Sequence, residues 1–282
     1  MNIPKPILAA IVASILVACA AVLIVIMPVR GGGSVGFDEF AVGFLIGSLF
    51  AQAVLASAWC ALGPGPIYLR APLSVLWCAV MWLALLCNTV LSSAPSGQVA
   101  PIMASCIAGI WITVQIPYWL LRAFGRMSLR LPGVSPFAKE EALPQYGIGQ
   151  LLIFTSIIAV IFGVGRGVFA LLPPMSEYFR GGEAGIFGAL AVAAILISLP
   201  LPPAIFVQGW RALVATVTIL VLIALATWWE LPLFTQIMGA SPGPRFMHFV
   251  WINVANAGWI AAFGLVVRLC GYRLSPRDRI TA

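Results

Sequence analysis

Eight apolar runs, each close to the length needed to cross a bilayer, dominate this chain. At 1.5 Å of rise per residue, about 20 apolar residues span a hydrocarbon core of roughly 30 Å. The runs lie near Ile7–Met27, Phe40–Leu62, Leu73–Ser92, Pro101–Leu121, Ile148–Leu172, Gly185–Gln208, Ala212–Trp229 and Phe246–Leu269. Each must be helical, because a backbone exposed to lipid has no other source of hydrogen-bond partners. Breakers stand between most of them: Arg30–Gly33, Gly63–Pro66, Pro95–Gly97, Pro173–Pro174, Pro200–Pro203 and Pro242–Pro244. The expected fold is an all-α, polytopic transmembrane helical bundle of about eight spans.

Composition points the same way. The chain is 62% hydrophobic and 8% charged, whereas a soluble domain carries about a quarter of its residues as Asp, Glu, Lys or Arg. The net charge of +7 does not signal nucleic acid, because the basic residues flank apolar runs, as topology signals and anionic headgroup contacts do.

Their distribution sets an orientation. With an inside N-terminus, eleven basic residues fall on inner segments: Lys5, Arg70, Arg122, Arg126, Arg130, Lys139, Arg211, Arg268, Arg273, Arg277 and Arg279. Three lie on outer loops (Arg30, Arg180, Arg245), and Arg166 lies within a run. Asp38, Glu39, Glu177, Glu183 and Glu230 read as outer residues. This bias predicts a multi-pass protein of the cell (cytoplasmic) membrane with both termini cytoplasmic. Trp59, Trp77, Trp119 and Trp210 near inner ends, and Trp228, Trp229 and Trp251 near outer ends, suit the headgroup preference of indole. In the first run Leu16-Val17-Ala18-Cys19 resembles a lipidation box. A cleavable signal has an apolar core of about 7–15 residues, and this run continues past Cys19 to Met27, which favours a retained span.

Two halves can be aligned. Leu121-Arg122-Ala123-Phe124-Gly125-Arg126 closes the fourth run and Val267-Arg268-Leu269-Cys270-Gly271-Tyr272 the eighth, 146 residues later. Read as a duplication, this gives a first four-span unit at 1–130, a cytoplasmic linker at 131–147 and a second four-span unit at 148–282. An even number of spans makes such repeats parallel, with an axis along the membrane normal. The competing reading is that arginine followed by glycine ends any inner helix, since arginine snorkels and glycine caps.

Arg122, Arg126 and Arg130 recur every four residues, so a continuing helix would present them on one face. There each could gain about 1 kcal/mol from anionic lipid. They are candidate headgroup contacts or, alternatively, a docking surface. Ser135 to Pro144 has the grammar of one short helix, too small for a catalytic domain.

Gln145-Tyr146-Gly147-Ile148-Gly149-Gln150-Leu151-Leu152 and Gly63-Pro64-Gly65-Pro66-Ile67-Tyr68-Leu69-Arg70 together resemble entry segments of a group of multi-pass membrane proteins of planctomycete-type bacteria. Gly147 and Gly149 depart from that pattern, which has serine and arginine there. The resemblance covers about a fifth of the chain; it implies a membrane bundle and carries no activity, cofactor or site.

Few chemistries are open. One histidine, His248, cannot supply a zinc site of three or four ligands or a bis-histidine haem. Asp38 and Asp278 are the only aspartates, and neither lies in a span. Cys19, Cys60, Cys78, Cys87, Cys106 and Cys270 form no Cys-x-x-Cys pair and read as small apolar groups. Gly163-Val164-Gly165-Arg166-Gly167 lacks the spacing and strand context of a dinucleotide loop, and Arg166 reads as an interfacial anchor. No cofactor or metal is expected.

Neutral polar residues remain inside the runs, notably Gln52, Gln115, Asn253 and Asn256, with Thr155 and Ser156 in the fifth. Asn253 and Asn256 are three apart and share a face. As glue between helices such groups contribute about 0.6 kcal/mol each; gathered around water they would form a polar pathway. The leading expectation is a non-enzymatic integral membrane protein, a scaffold or subunit of a membrane assembly whose main partner is the bilayer. The alternative is a transporter or channel for a small neutral solute lined by Gln52, Gln115, Asn253 and Asn256. An enzyme ranks last, resting on an outer acid cluster of Glu177, Glu183 and Glu230.

Overall fold

A computed structural model of the chain describes residues 5–26, 35–64, 66–91, 96–123, 127–130, 183–206, 210–238 and 245–276. The fifth run (148–172), the linker, Arg126, Arg166, Thr155, Ser156 and the Gly163–Gly167 segment lie outside them. The described architecture is all-helical apart from one two-stranded ladder. Helices α1 (Lys5–Ile26), α2 (Val35–Leu62), α3 (Ile67–Leu91) and α4 (Ser96–Ala123) are followed by strand β1 (Met127–Arg130). Then come α5 (Glu183–Ser198), α6 (Leu201–Phe206), α7 (Trp210–Met238), α8 (Phe246–Leu269) and strand β2 (Arg273–Pro276). Five stretches are long and apolar enough to cross a membrane: Glu39–Leu62, Ile67–Asn88, Met103–Ala123, Ala212–Leu233 and Phe246–Leu269.

Among the described residues helix α2 forms the centre, with α8 packed along it. Along Glu39–Leu62 of α2, 78% of the most apolar window is buried, and α2 packs on α1, α3, α4, α5 and α8. Its seam with α8 is built on Gly43 and Gly47, one helical turn apart. A Cβ on Gly43 would sit 2.6 Å from Trp251 Cβ and 2.7 Å from the His248 carbonyl oxygen. A Cβ on Gly47 would overlap the Ile252 carbonyl oxygen and sit 2.9 Å from Ala255 Cβ. Lipid tails give two helices no hydrophobic reason to associate, so close backbone approach through small residues replaces it. Helix α7 is the opposite case: Leu213, Val217, Leu220, Leu225 and Trp228 are exposed among the described residues.

Several boundaries differ from the sequence-based expectation, each for a physical reason. The sixth run is not one helix: α5 stops at Ser198, and α6 restarts at Leu201 around Pro200, Pro202 and Pro203, which cannot donate to a continuing ladder. Helix α3 starts six residues before Leu73 and carries Pro72 inside it, bringing Arg70 into its first turn. Helix α7 runs on through Pro232 to Met238, so Glu230 is a helix residue and not part of an outer loop.

The arginine face expected from Arg122, Arg126 and Arg130 does not form as one helix. Helix α4 ends at Ala123, and Arg130 lies in β1. The antiparallel ladder to β2 pairs Met127 with Pro276 and Arg130 with Arg273, which satisfies backbone groups that a further helical turn would otherwise have used. Gly271 makes the ladder reachable. It adopts φ 89° just past α8, while the N–H groups of Cys270, Gly271 and Tyr272 donate back to the Val266, Arg268 and Val267 carbonyls. Helix α1 runs unbroken through Cys19.

Candidate functional site

Of the expected polar residues, Gln52, Asn253 and Asn256 are buried and Gln115 is partly buried, and each is hydrogen-bonded across a helix pair. Gln52, 2% exposed, accepts from the Trp77 indole of α3 at 3.0 Å. Gln115 on α4 accepts from the Cys60 thiol of α2 at 3.7 Å and from Trp119 at 3.4 Å. Asn256, fully buried, donates to Ser198 Oγ at 3.2 Å and to the Ala194 carbonyl at 3.4 Å, both on α5. Asn253, also fully buried, donates to Thr227 Oγ1 at 3.1 Å and to Glu230 Oε2 at 2.8 Å, both on α7. Asn253 and Asn256 thus share one helix while reaching different neighbours, and Gln52 and Gln115 serve the first three-helix group.

Indoles do much of the remaining bonding. Trp259 Nε1 donates to Ser48 Oγ at 2.8 Å, joining α8 to α2, and Trp111 Nε1 donates to Ser74 Oγ at 3.3 Å, joining α4 to α3. Ser57 donates to the Trp111 carbonyl at 2.9 Å, and the Tyr118 hydroxyl to the Ser198 carbonyl at 3.2 Å. Ser198 Oγ donates in turn to the Ala194 carbonyl. A buried indole or hydroxyl has to find an acceptor, and in lipid that acceptor must come from another helix or an earlier turn.

The arginines divide their work. Arg70, 2% exposed, donates to the Cys60 carbonyl at 2.8 Å and the Ala61 carbonyl at 3.2 Å. Arg122 reaches the Ala61 carbonyl at 2.7 Å and lies 5.5 Å from the Trp119 ring centre. Arg268 reaches the Ile205 carbonyl at 2.7 Å. These contacts cover carbonyls that helix ends leave without partners. Of the three expected headgroup contacts, Arg122 is therefore engaged on α2, Arg130 belongs to the ladder, and Arg126 lies outside the described residues. At the same end, burial pushes the Tyr272 hydroxyl above its usual range, with Cys270 adding to the effect, so it remains protonated at neutral pH.

At the opposite end Glu39, at the head of the α2 span, sits 3.3 Å from Arg245. His248 receives the Arg245 backbone N–H on Nδ1 at 3.1 Å, which makes the single histidine a cap for the first turn of α8.

Glu230, expected in an outer acid cluster, is instead a buried helix residue, and sequence reasoning missed that position and its partners. It is 2% exposed and lies within the Ala212–Leu233 span. It is three residues, about 4.5 Å along the axis, from the Leu233 end of that span. Its Oε1 receives no hydrogen bond from the described residues, nor do Asn253 Oδ1 and Asn256 Oδ1. The signal that could have found it is the presence of Thr227, Glu230 and Asn253 as polar residues at matching depth on consecutive antiparallel helices. Trp228-Trp229 followed by Pro232 instead reads as a helix end. Among the described residues no three His, Cys, Asp or Glu side chains gather into a metal-binding group. No protein-family model matches this chain, and neither does any curated protein or solved structure.

Proposed function

We propose that this chain is a non-enzymatic integral protein of the cytoplasmic membrane, serving as a scaffold or as one subunit of a membrane assembly. The observation that carries the reading is the dispersal of its polar groups. Gln52, Gln115, Asn253 and Asn256 are bonded to four separate sets of partners on neighbouring helices, as cross-helix glue is.

Eight spans in two units, 1–130 and 148–282 joined by a linker at 131–147, belong to the same proposal. It is supported by contacts that recur at nearly one sequence offset. Arg122 caps the end of α2 at Ala61, and its counterpart Arg268 caps α6 at Ile205, so donor and acceptor move along the chain by almost the same amount. Strands β1 and β2 are separated by that same offset, and they pair with each other antiparallel, as equivalent strands do across a two-fold axis. The same axis exchanges the α2–α8 seam with the α4–α5 seam, and both pairs are in contact. The orientation follows the positive-inside bias, with both termini and the ladder cytoplasmic.

The test is thiol accessibility. Single cysteines replace Gln52, Gln115, Asn253 and Asn256 in a background lacking the six native cysteines, in intact cells. Protection of all four from a membrane-impermeant reagent is the expected result. Labelling of several would overturn it in favour of a water-lined path and the transporter alternative.

A further inference from the structure

We propose that Glu230, Asn253 and Thr227 form a binding site for a single positive charge, delivered as a proton or as an alkali-metal ion. A carboxyl inside a span is costly and has to be offset by pairing or hydrogen bonding. Glu230 receives one hydrogen bond, from Asn253 Nδ2, and its other oxygen is buried and bare. Asn253 Oδ1 beside it is bare as well, and so is Asn256 Oδ1 one turn further along α8. At the Glu230–Asn253 pair, two buried acceptors on two adjacent helices therefore stand without donors, and a third, on Asn256, lies one turn away. A group that brings positive charge and no further acceptor is what such an imbalance selects.

No side-chain cation supplies it among the described contacts. Helix α7 packs on α5, α6 and α8. The charged or titratable residues on these elements, beyond Glu230, are Arg211 on α7, Glu183 at the start of α5, and Arg245, His248 and Arg268 on or beside α8. Arg245 faces Glu39 and is 65% exposed, His248 caps its own helix, and Arg268 caps α6 at the far end.

Packing alone does not require these polar groups. Under the offset that relates Arg122 to Arg268, Asn253 and Asn256 correspond to Ile107 and Ile110, which are buried in α4. In α4, apolar side chains fill the two positions that Asn253 and Asn256 hold in α8. That comparison rests on the proposed repeat; the bare oxygens do not.

The experiment uses the full chain in liposomes. Dicyclohexylcarbodiimide, which adds to protonated carboxyls in apolar surroundings, is applied across pH and salt, and the modified residue is located by peptide mass. Glu230 is the expected target, with Glu39 as the internal comparison. Labelling that slows about tenfold at a sodium or lithium concentration ten times its Kd identifies a metal-ion site by mass action. Labelling governed by pH and indifferent to alkali ions identifies a proton site. In parallel, the unfolding midpoint of the wild type shifts with the same cation, and that shift is lost in Glu230→Gln. The proposal is overturned if Glu230 stays unmodified under all conditions, or if wild type and Glu230→Gln respond identically to pH and alkali-metal ions.

Discussion

Replacing Gly47 by alanine tests whether the α2–α8 seam holds this bundle together. Two effects of opposite sign compete. Alanine favours a helix over glycine by about 1 kcal/mol. Against that, the new Cβ would overlap the Ile252 carbonyl oxygen and lie 3.0 Å from its carbonyl carbon and 2.9 Å from Ala255 Cβ. Carbon atoms in contact prefer about 3.5–4.0 Å, so the helices must separate by roughly 0.5–1 Å. Backbone cannot rotate out of the way as a side chain does, and overpacking of this kind costs about 1–3 kcal/mol. The steric cost wins. The net loss is up to about 2 kcal/mol, so at about 2–4 °C per kcal/mol for chains of roughly 150–250 residues Gly47→Ala lowers the unfolding midpoint by up to about 8 °C, followed by tryptophan fluorescence in detergent. Gly109→Ala is the matched control, because a Cβ there meets nothing within 4 Å; its midpoint stays level or rises. Ala255→Gly in the Gly47→Ala background recovers only part of the loss, since the clash with the Ile252 backbone remains. If Gly47→Ala and Gly109→Ala shift the midpoint in the same direction, the seam is not what the glycines are for.

Two further outcomes are accessible to the same assay. Arg122→Lys and Arg268→Lys should each cost up to about 1.5–3 kcal/mol, the range for hydrogen bonds to charged groups, and the two losses should be alike because both arginines cap a helix end carbonyl at 2.7 Å; a large cost at one and none at the other would contradict the equivalence of the units. Asn253→Ala leaves both Glu230 oxygens without a donor and should cost about 1–3 kcal/mol, whereas in a Glu230→Leu background the same change should cost markedly less; additive losses in that double-mutant cycle would show that the two side chains do not interact.

The parts of the fold legible in the sequence are those whose signals are local. The eighth run reads as Phe246–Leu269, and the helix has those ends, because Pro242–Pro244 precedes it and Gly271, with its positive φ, follows. The end of α2 at Leu62 is equally plain from Gly63-Pro64-Gly65-Pro66. The failures come where tertiary structure or lipid outweighs a local breaker. Pro232 deletes one backbone donor, yet α7 continues, since ending a helix early in an apolar medium leaves several groups unsatisfied where the proline leaves one. The expected outer position of Glu230 fails for that reason. Arg122 and Arg130 look like one helical face because a period of four is indistinguishable from a chain that leaves the helix after Ala123 and pairs with a strand from the far end of the sequence. The burial of Gln52, Asn253 and Asn256 is foreseeable from their runs; their partners, such as Trp77 and Ser198, are not.

The Gly43–Gly47 seam also has a counterpart within the two proposed units. Under the two-fold relation and the 146-residue offset, Gly47 corresponds to Ala193 and Ala255 to Gly109. The first pair brings backbone against backbone. At the second, Gly109 is exposed, with nothing within 4 Å of a Cβ placed on it, and α4 and α5 are joined by the hydrogen bond from Tyr118 to Ser198. Ser198 ties that seam to Asn256, and Asn256 lies one turn from Asn253 and the buried carboxyl of Glu230. A charge arriving at Glu230 would act one turn from the Asn256–Ser198 link between α8 and α5, while backbone contact at Gly43 and Gly47 holds α2 against α8.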